Sequence, residues 1–341
     1  MNNIFINKLS KIETPRPPVW FMRQAGRILP AYKKLKGKYT FDELMKDADL
    51  ASTVSILPIE ELGVDAIILF SDILVIPDAL GLNLEFTNKG PLFHNPLNIN
   101  DPNKDLCFDS KKLEYIYKNI IEIKKKNSDL PLIGFCGGPL TTFCFMFRGD
   151  LTDKSFNQAI KFLYKYPKQS HKILNAITEA SELYIEQQIN HGINCFQLFE
   201  TYCGLIPSKK YIEEIMPYSE RMLNVTKNQV PSIFFPKNLG TGLKYLNKNI
   251  CDYVSIDWQI DLNDARQILD KNLGIQGNID PRILYSDIKN IEIELEKIKQ
   301  FASKHKDFIL NLGHGFLPDI NYKKAKFIVD WVKTTNWKNS L

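Results

Sequence analysis

Eight short apolar runs, each long enough for one buried strand and little more, set the strongest limit on how this chain can fold. They cover residues 19–22, 66–70, 132–135, 195–199, 232–235, 253–256, 274–276 and 308–310. Most of the intervals between them carry helical periodicity, at 113–126, 155–164, 168–191, 208–228, 262–271, 286–304 and 322–335. Thr40-Phe41-Asp42-Glu43 reads as a capping box opening a further helix to about Pro58. Eight strands, each followed by a helix, predict an α/β chain built as a single (β/α)8 TIM barrel. The interval 240–249 leaves room only for a small helix, and 274–276 is the weakest of the strands. Residues 76–110, rich in Pro, Asn and Gly, read as an insertion after the second strand, a lid or a hairpin. With 341 residues, 44% of them hydrophobic, the chain can fill one such core. Residues 1–341 are therefore expected as one domain, with residues 1–17 a flexible lead-in.

The segments that follow the runs point the same way, because a barrel builds its site on loops at the strand C-termini. They read Arg23-Gln24-Ala25-Gly26-Arg27, Ser71-Asp72, Cys136-Gly137-Gly138-Pro139, Glu200-Thr201, Pro236-Lys237, Asp257-Trp258, Gly277-Asn278-Ile279-Asp280 and Gly313-His314-Gly315. Polar and glycine residues thus collect on one rim. A doubly wound open sheet would not decorate every strand end, and no G-x-G-x-x-G follows the first run. Only seven of the 44 basic residues are arginine, so two guanidiniums four residues apart around a glycine call for a specific reason. A small polyanion is one, since the planar fork binds carboxylates bidentately; ordinary salt bridges at the rim are the other. Asp72 emerges from an apolar strand either into the site or as a cap on the next helix. His314, between two glycines, sits where backbone can approach a ligand closely. Lys237 is a rim cation or a plain surface lysine.

Composition removes other classes. A net charge of +5 with lysines scattered along the chain describes a solvated surface, not a nucleic-acid stripe. Six cysteines without a C-x-x-C pair predict reduced thiols in a cytoplasmic protein. The most apolar stretch, 66–82, is interrupted by Asp72, Pro77 and Asp78, so no membrane span is expected. There is no Walker loop, H-E-x-x-H, G-x-S-x-G or clustered Cys/His metal set, and no lysine is marked as a Schiff base. A reaction whose substrate supplies its own electron sink fits this inventory.

Four motifs in order, Pro18-Val19-Trp20-Phe21-Met22-Arg23-Gln24-Ala25-Gly26-Arg27, Phe70-Ser71-Asp72-Ile73-Leu74, Gln276-Gly277-Asn278-Ile279-Asp280-Pro281 and Asn311-Leu312-Gly313-His314-Gly315, closely resemble the uroporphyrinogen decarboxylase family over residues 17 to 335. The resemblance implies a (β/α)8 homodimer that uses no metal or organic cofactor. It would convert the four acetate side chains of uroporphyrinogen III to methyls, giving coproporphyrinogen III and CO2. It implies that Asp72 accepts the pyrrole N–H groups and faces positive charge on the protonated ring, and that Arg23 and Arg27 hold carboxylates. Lys36, Lys237, Thr201 and His314 would assist in binding. Lys36 stands where the family usually has arginine, Thr201 where some members have serine, and Arg148 where an acid is usual.

In Thr141-Thr142-Phe143-Cys144-Phe145, Phe145 takes the place of a tyrosine usual in the family. Loss of a hydrogen bond to a charged group costs roughly 1.5 to 3 kcal/mol, so Phe145→Tyr is expected to raise turnover unless the hydroxyl is dispensable or replaced. Two other readings share the barrel. One is a zinc-dependent methyltransferase acting on a thiol or corrinoid, for which Cys136, Cys203 and His314 would have to converge. The other is a catalytically weakened homologue that still binds a tetrapyrrole.

Overall fold

The computed structural model describes residues 3–87, 90–148 and 155–337. Among these, seven parallel strands form the central sheet: β1 (Ile67–Ile68), β4 (Leu132–Gly137), β5 (Cys195–Glu200), β6 (Ser232–Pro236), β7 (Tyr253–Ser255), β8 (Gly274–Ile279) and β9 (Phe308–Leu312), neighbours in that order. The antiparallel pair β2 (Leu84–Thr87) and β3 (Gly90–Phe93) lies in the expected insertion, with Leu84 opposite Phe93. Parallel strands covered on both faces read as continuous apolar runs, and all six residues of β4 are buried. Helices return between the strands. Glu114–Lys126, for instance, turns Ile116, Ile120 and Ile123 inward and leaves its lysines in solvent. The short interval holds one tight turn of helix, Gly240–Tyr245.

The eight-stranded ring is not formed as a complete ladder. Residues 19–22 contribute one parallel bridge, Val19 to Leu310 of β9, flanked by Leu310 N–H to Pro18 O at 2.9 Å. Trp20 N–H donates to Leu310 O at 3.4 Å, Pro18 has no N–H, and the other donors of this run turn to side chains. Val19 N–H donates to Asp65 Oδ2 (2.8 Å), Phe21 N–H to Gln24 Oε1 (2.9 Å) and Met22 N–H to Asn311 Oδ1 (3.1 Å). Buried donors are satisfied, so the segment needs no second strand partner to be stable there. On its other side Asp65 N–H donates to Val19 O at 2.9 Å, just ahead of β1.

Two further expectations change. Residues 41–61 hold two helices, Phe41–Lys46 and Ala48–Glu61. The capping box of Thr40 and Glu43 forms, but Asp47 adopts extended backbone and caps the second helix through Leu50 N–H, and that helix passes Pro58. Instead of a loose lead-in, Ile4–Leu9 is a helix that buries Phe5 and Leu9, while Lys8 Nζ donates to Lys306 O at 2.6 Å; Met1 and Asn2 lie outside the described residues. Gln276, in the run read as the weakest strand, lies within β8. From β8 it links Trp20 Nε1 (2.9 Å), Gln197 Oε1 (3.0 Å) and Ser255 Oγ (3.0 Å) in a buried polar layer inside the sheet. Among the described residues no helix is long and apolar enough to cross a membrane.

Candidate active site

A cavity of about 520 Å³ opens at the C-terminal end of the sheet, its wall drawn from residues that follow β1, β5 and β9 and from the turn at 22–28. That turn is fixed from below by Gln24, which is fully buried and donates from Nε2 to Ala66 O at 2.9 Å. Arg23 takes a left-handed backbone (φ 61°), and both Arg23 and Arg27 reach the cavity. Salt bridges at the rim do not account for them. Arg16 pairs with Asp65, Arg221 with Glu182, Arg282 with Asp280, and Arg266 donates to backbone carbonyls. Neither Arg23 nor Arg27 hydrogen-bonds or ion-pairs with any described residue. These two cations of the cavity wall are thus left to a ligand.

Asp72 meets both readings open to it. Its Oδ1 accepts the Leu74 N–H at 2.9 Å, starting the turn that follows β1, while Oδ2 takes no hydrogen bond from a described residue and the side chain lines the cavity. Loss of water pushes its carboxyl up to about 6, although the Leu74 N–H and the Arg23 charge pull it down. His314 accepts the Gly315 N–H at Nδ1 (2.6 Å), so its proton sits on Nε2. Burial, with Arg23 and Lys237 adding like charge, pushes its pKa down to about 3. The ring is therefore a neutral donor, flanked by Phe235 and Trp258 at 6.2 Å each between centroids.

Thr201 and Phe145 line the same cavity, as does Arg148. Lys36 does not: it ends the helix Pro30–Lys36 in solvent, near Glu43, because the helix turns that face away from the sheet. Lys237 also lies off the wall, its Nζ 5.4 Å from the Trp258 ring centroid, and it acts on the site through its charge on His314. Cys136 and Cys203 are buried, Cys203 Sγ donating to Lys237 O at 2.8 Å. Among the described residues no three His, Cys, Asp or Glu side chains gather as a metal would require.

The comparisons with known proteins agree with one another. The family model described as uroporphyrinogen decarboxylase (URO-D) matches residues 1–335. The chain is 37% identical to a uroporphyrinogen decarboxylase of Vesicomyosocius okutanii, over 97% of each chain, and 41% identical to one of Campylobacter hominis, over 97% of this chain and 98% of the other. The chain belongs to the uroporphyrinogen decarboxylase family. A methyltransferase from Methanosarcina mazei shares the fold, with a TM-score of 0.76 at 16% identity over 96% of this chain and 97% of that one.

Two residues of this uroporphyrinogen decarboxylase site were not singled out from sequence, Glu200 and Tyr202. Glu200 is fully buried behind the wall. It accepts Leu140 N–H (3.0 Å), Thr141 N–H (2.7 Å), the Thr141 hydroxyl and Tyr211 O–H (3.3 Å), and burial pushes its carboxyl up to about 7. It thereby ties the end of β5 to the start of the helix Pro139–Met146, which carries Phe145. An acid directly after an apolar strand is the signal that marked Asp72, and it marks Glu200 equally.

Proposed function

We propose that the cavity binds uroporphyrinogen III with its pyrrole N–H groups over Asp72 and its peripheral carboxylates against Arg23 and Arg27. As a member of its family the chain is a carboxy-lyase that converts the four acetate side chains to methyls, releasing CO2 and giving coproporphyrinogen III. The free Oδ2 of Asp72 can accept N–H groups, and its charge favours a protonated pyrrole ring. Protonation at a pyrrole carbon makes the ring an electron sink. The bond between the acetate methylene and its carboxylate then breaks, its electron pair enters the ring, and CO2 leaves. A proton added to the exocyclic methylene completes the methyl and the ring carbon then gives up its extra proton, so each acetate loses CO2 and gains one hydrogen. Arg23 serves as a carboxylate clamp through its planar guanidinium fork. His314 donates from Nε2 to a peripheral carboxylate.

The observation that carries this reading is one acid with an open oxygen sharing a cavity with two guanidiniums that hydrogen-bond and ion-pair with no described residue. The test is an anaerobic incubation with uroporphyrinogen III, with products resolved by carboxyl count. Hepta- to tetracarboxyl porphyrinogens are expected, and return of the octacarboxyl substrate unchanged would end the proposal. In the same reading residues 1–341 make one (β/α)8 domain, with residues 19–22 completing the ring. The chain works as a cytoplasmic homodimer, which sedimentation velocity would show as twice the 39.4 kDa chain mass.

A further inference from the structure

One wall of the cavity is aromatic and comes from three places in the chain. Phe145 meets Tyr202 edge-on with centroids 5.7 Å apart, Phe156 lies 4.6 Å from Tyr202, and Phe145 and Phe156 are 5.2 Å apart. Phe145 and Tyr202 both face the cavity, and of the three rings only Tyr202 carries a hydroxyl. That hydroxyl makes no hydrogen bond to a described residue. Burial raises its pKa, while the charges of Arg23 and Arg148 pull it down, so the phenol sits in the field of the same guanidinium that faces Asp72 and His314.

The ring is also held in place. Tyr202 N–H donates to Thr141 Oγ1 at 3.1 Å, and Thr141 in turn donates to the buried Glu200. A phenol fixed at its backbone and packed between two rings loses little further freedom when a ligand arrives. Its O–H is a donor with no partner among the described residues, beside a cation with none among them either. An anionic oxygen held by that cation would satisfy both at once.

We infer that Tyr202 is a substrate-contacting residue of this decarboxylase. Its O–H donates to a carboxylate oxygen held by Arg23, at the stretch of wall where Phe145 has no polar atom to offer. The inference rests on the proposed function, and the experiment separates the two. Native protein is assayed first with uroporphyrinogen III under anaerobic conditions; absence of CO2 release there defeats the functional reading. With native activity in hand, Tyr202→Phe keeps the ring and removes the hydroxyl. A hydrogen bond to a charged group corresponds to a fall in kcat/KM of about tenfold to a hundredfold, at an unchanged urea midpoint. Adding Phe145→Tyr to Tyr202→Phe places a phenol on the adjoining ring and is expected to restore at least fivefold. The inference is overturned if Tyr202→Phe stays within twofold of native, if its loss tracks a lowered urea midpoint, or if the double variant is no better than the single.

Discussion

At the scale of the residue, burial moves the titrations of the groups at the site away from where they lie in water. Asp72 is raised to about 6, so the folded protein binds a proton there more tightly than the unfolded chain does. Its contribution to stability is therefore largest below about pH 4, is lost as pH rises through 6, and is level above. Replacing it by Asn, whose Oδ1 can still accept the Leu74 N–H, removes that loss. Asp72→Asn should be more stable than native at pH 8 by about 1 to 3 kcal/mol in urea unfolding, and should lose at least a hundredfold in kcat/KM. Native kcat/KM should fall on the acid side with a pKa near 6, because only the ionised carboxylate can serve the pyrrole N–H groups. A less stable Asp72→Asn at pH 8 would contradict the desolvation account. His314 makes the opposite case. With its pKa at about 3, it should show no titration between pH 5 and 8 in nuclear magnetic resonance of the free protein, and its proton should appear on Nε2. A midpoint near 6.5 would mean that the ring is far wetter than the structure has it.

At the scale of the element, glycines decide which side chains reach the cavity. A Cβ at residue 315 would run into Cγ and Cδ of Arg23, so the loop after β9 stays bare where the arginine crosses it. Gly315→Ala is expected to raise KM tenfold or more by displacing Arg23, with kcat and the urea midpoint little changed, because the obstructed atoms belong to a flexible side chain. An unaltered KM would show that the clamp does not depend on this crossing. Glycine also explains why β8 is faint in the sequence. Tyr253, whose hydroxyl donates to Lys8 O at 2.7 Å, lays its ring on residue 274, where a Cβ would overlap it. A strand shaped by a neighbour's ring carries little β-propensity of its own, yet β8 runs for six residues. The small helix after β6 and the capping box at Thr40 were legible, because each depends on chemistry within a few residues, while the insertion, read as a lid or a hairpin, holds the antiparallel pair.

At the scale of the molecule, the seam between the first apolar run and the sheet holds the site to the fold. Asp65 receives Arg16 through both oxygens, at 2.6 and 2.8 Å, and also accepts the Val19 N–H. Both side chains are largely buried, so removing the acid leaves a guanidinium and a backbone donor unpaired. Asp65→Ala should cost about 3 to 5 kcal/mol in urea unfolding. Activity should fall with it even where the variant is folded, since Val19 leads directly into the turn that carries Arg23. A variant that keeps native stability would place the strength of this seam elsewhere.

The sequence by itself determined the run of strands and helices, the rim on which polar residues collect, and the motif set of the family. Periodicity, caps and strand-end chemistry act over a few residues and can be read there. Only the tertiary structure decided that Lys36 and Lys237 stand off the wall, that Glu200 sits behind it, and that Tyr202 adjoins Phe145. It also decided that Val19, Phe21 and Met22 satisfy their N–H donors with side chains rather than a second ladder. Each of these depends on contacts between segments tens to hundreds of residues apart, whose meeting is fixed by the register of the parallel strands and by packing, which no local pattern encodes.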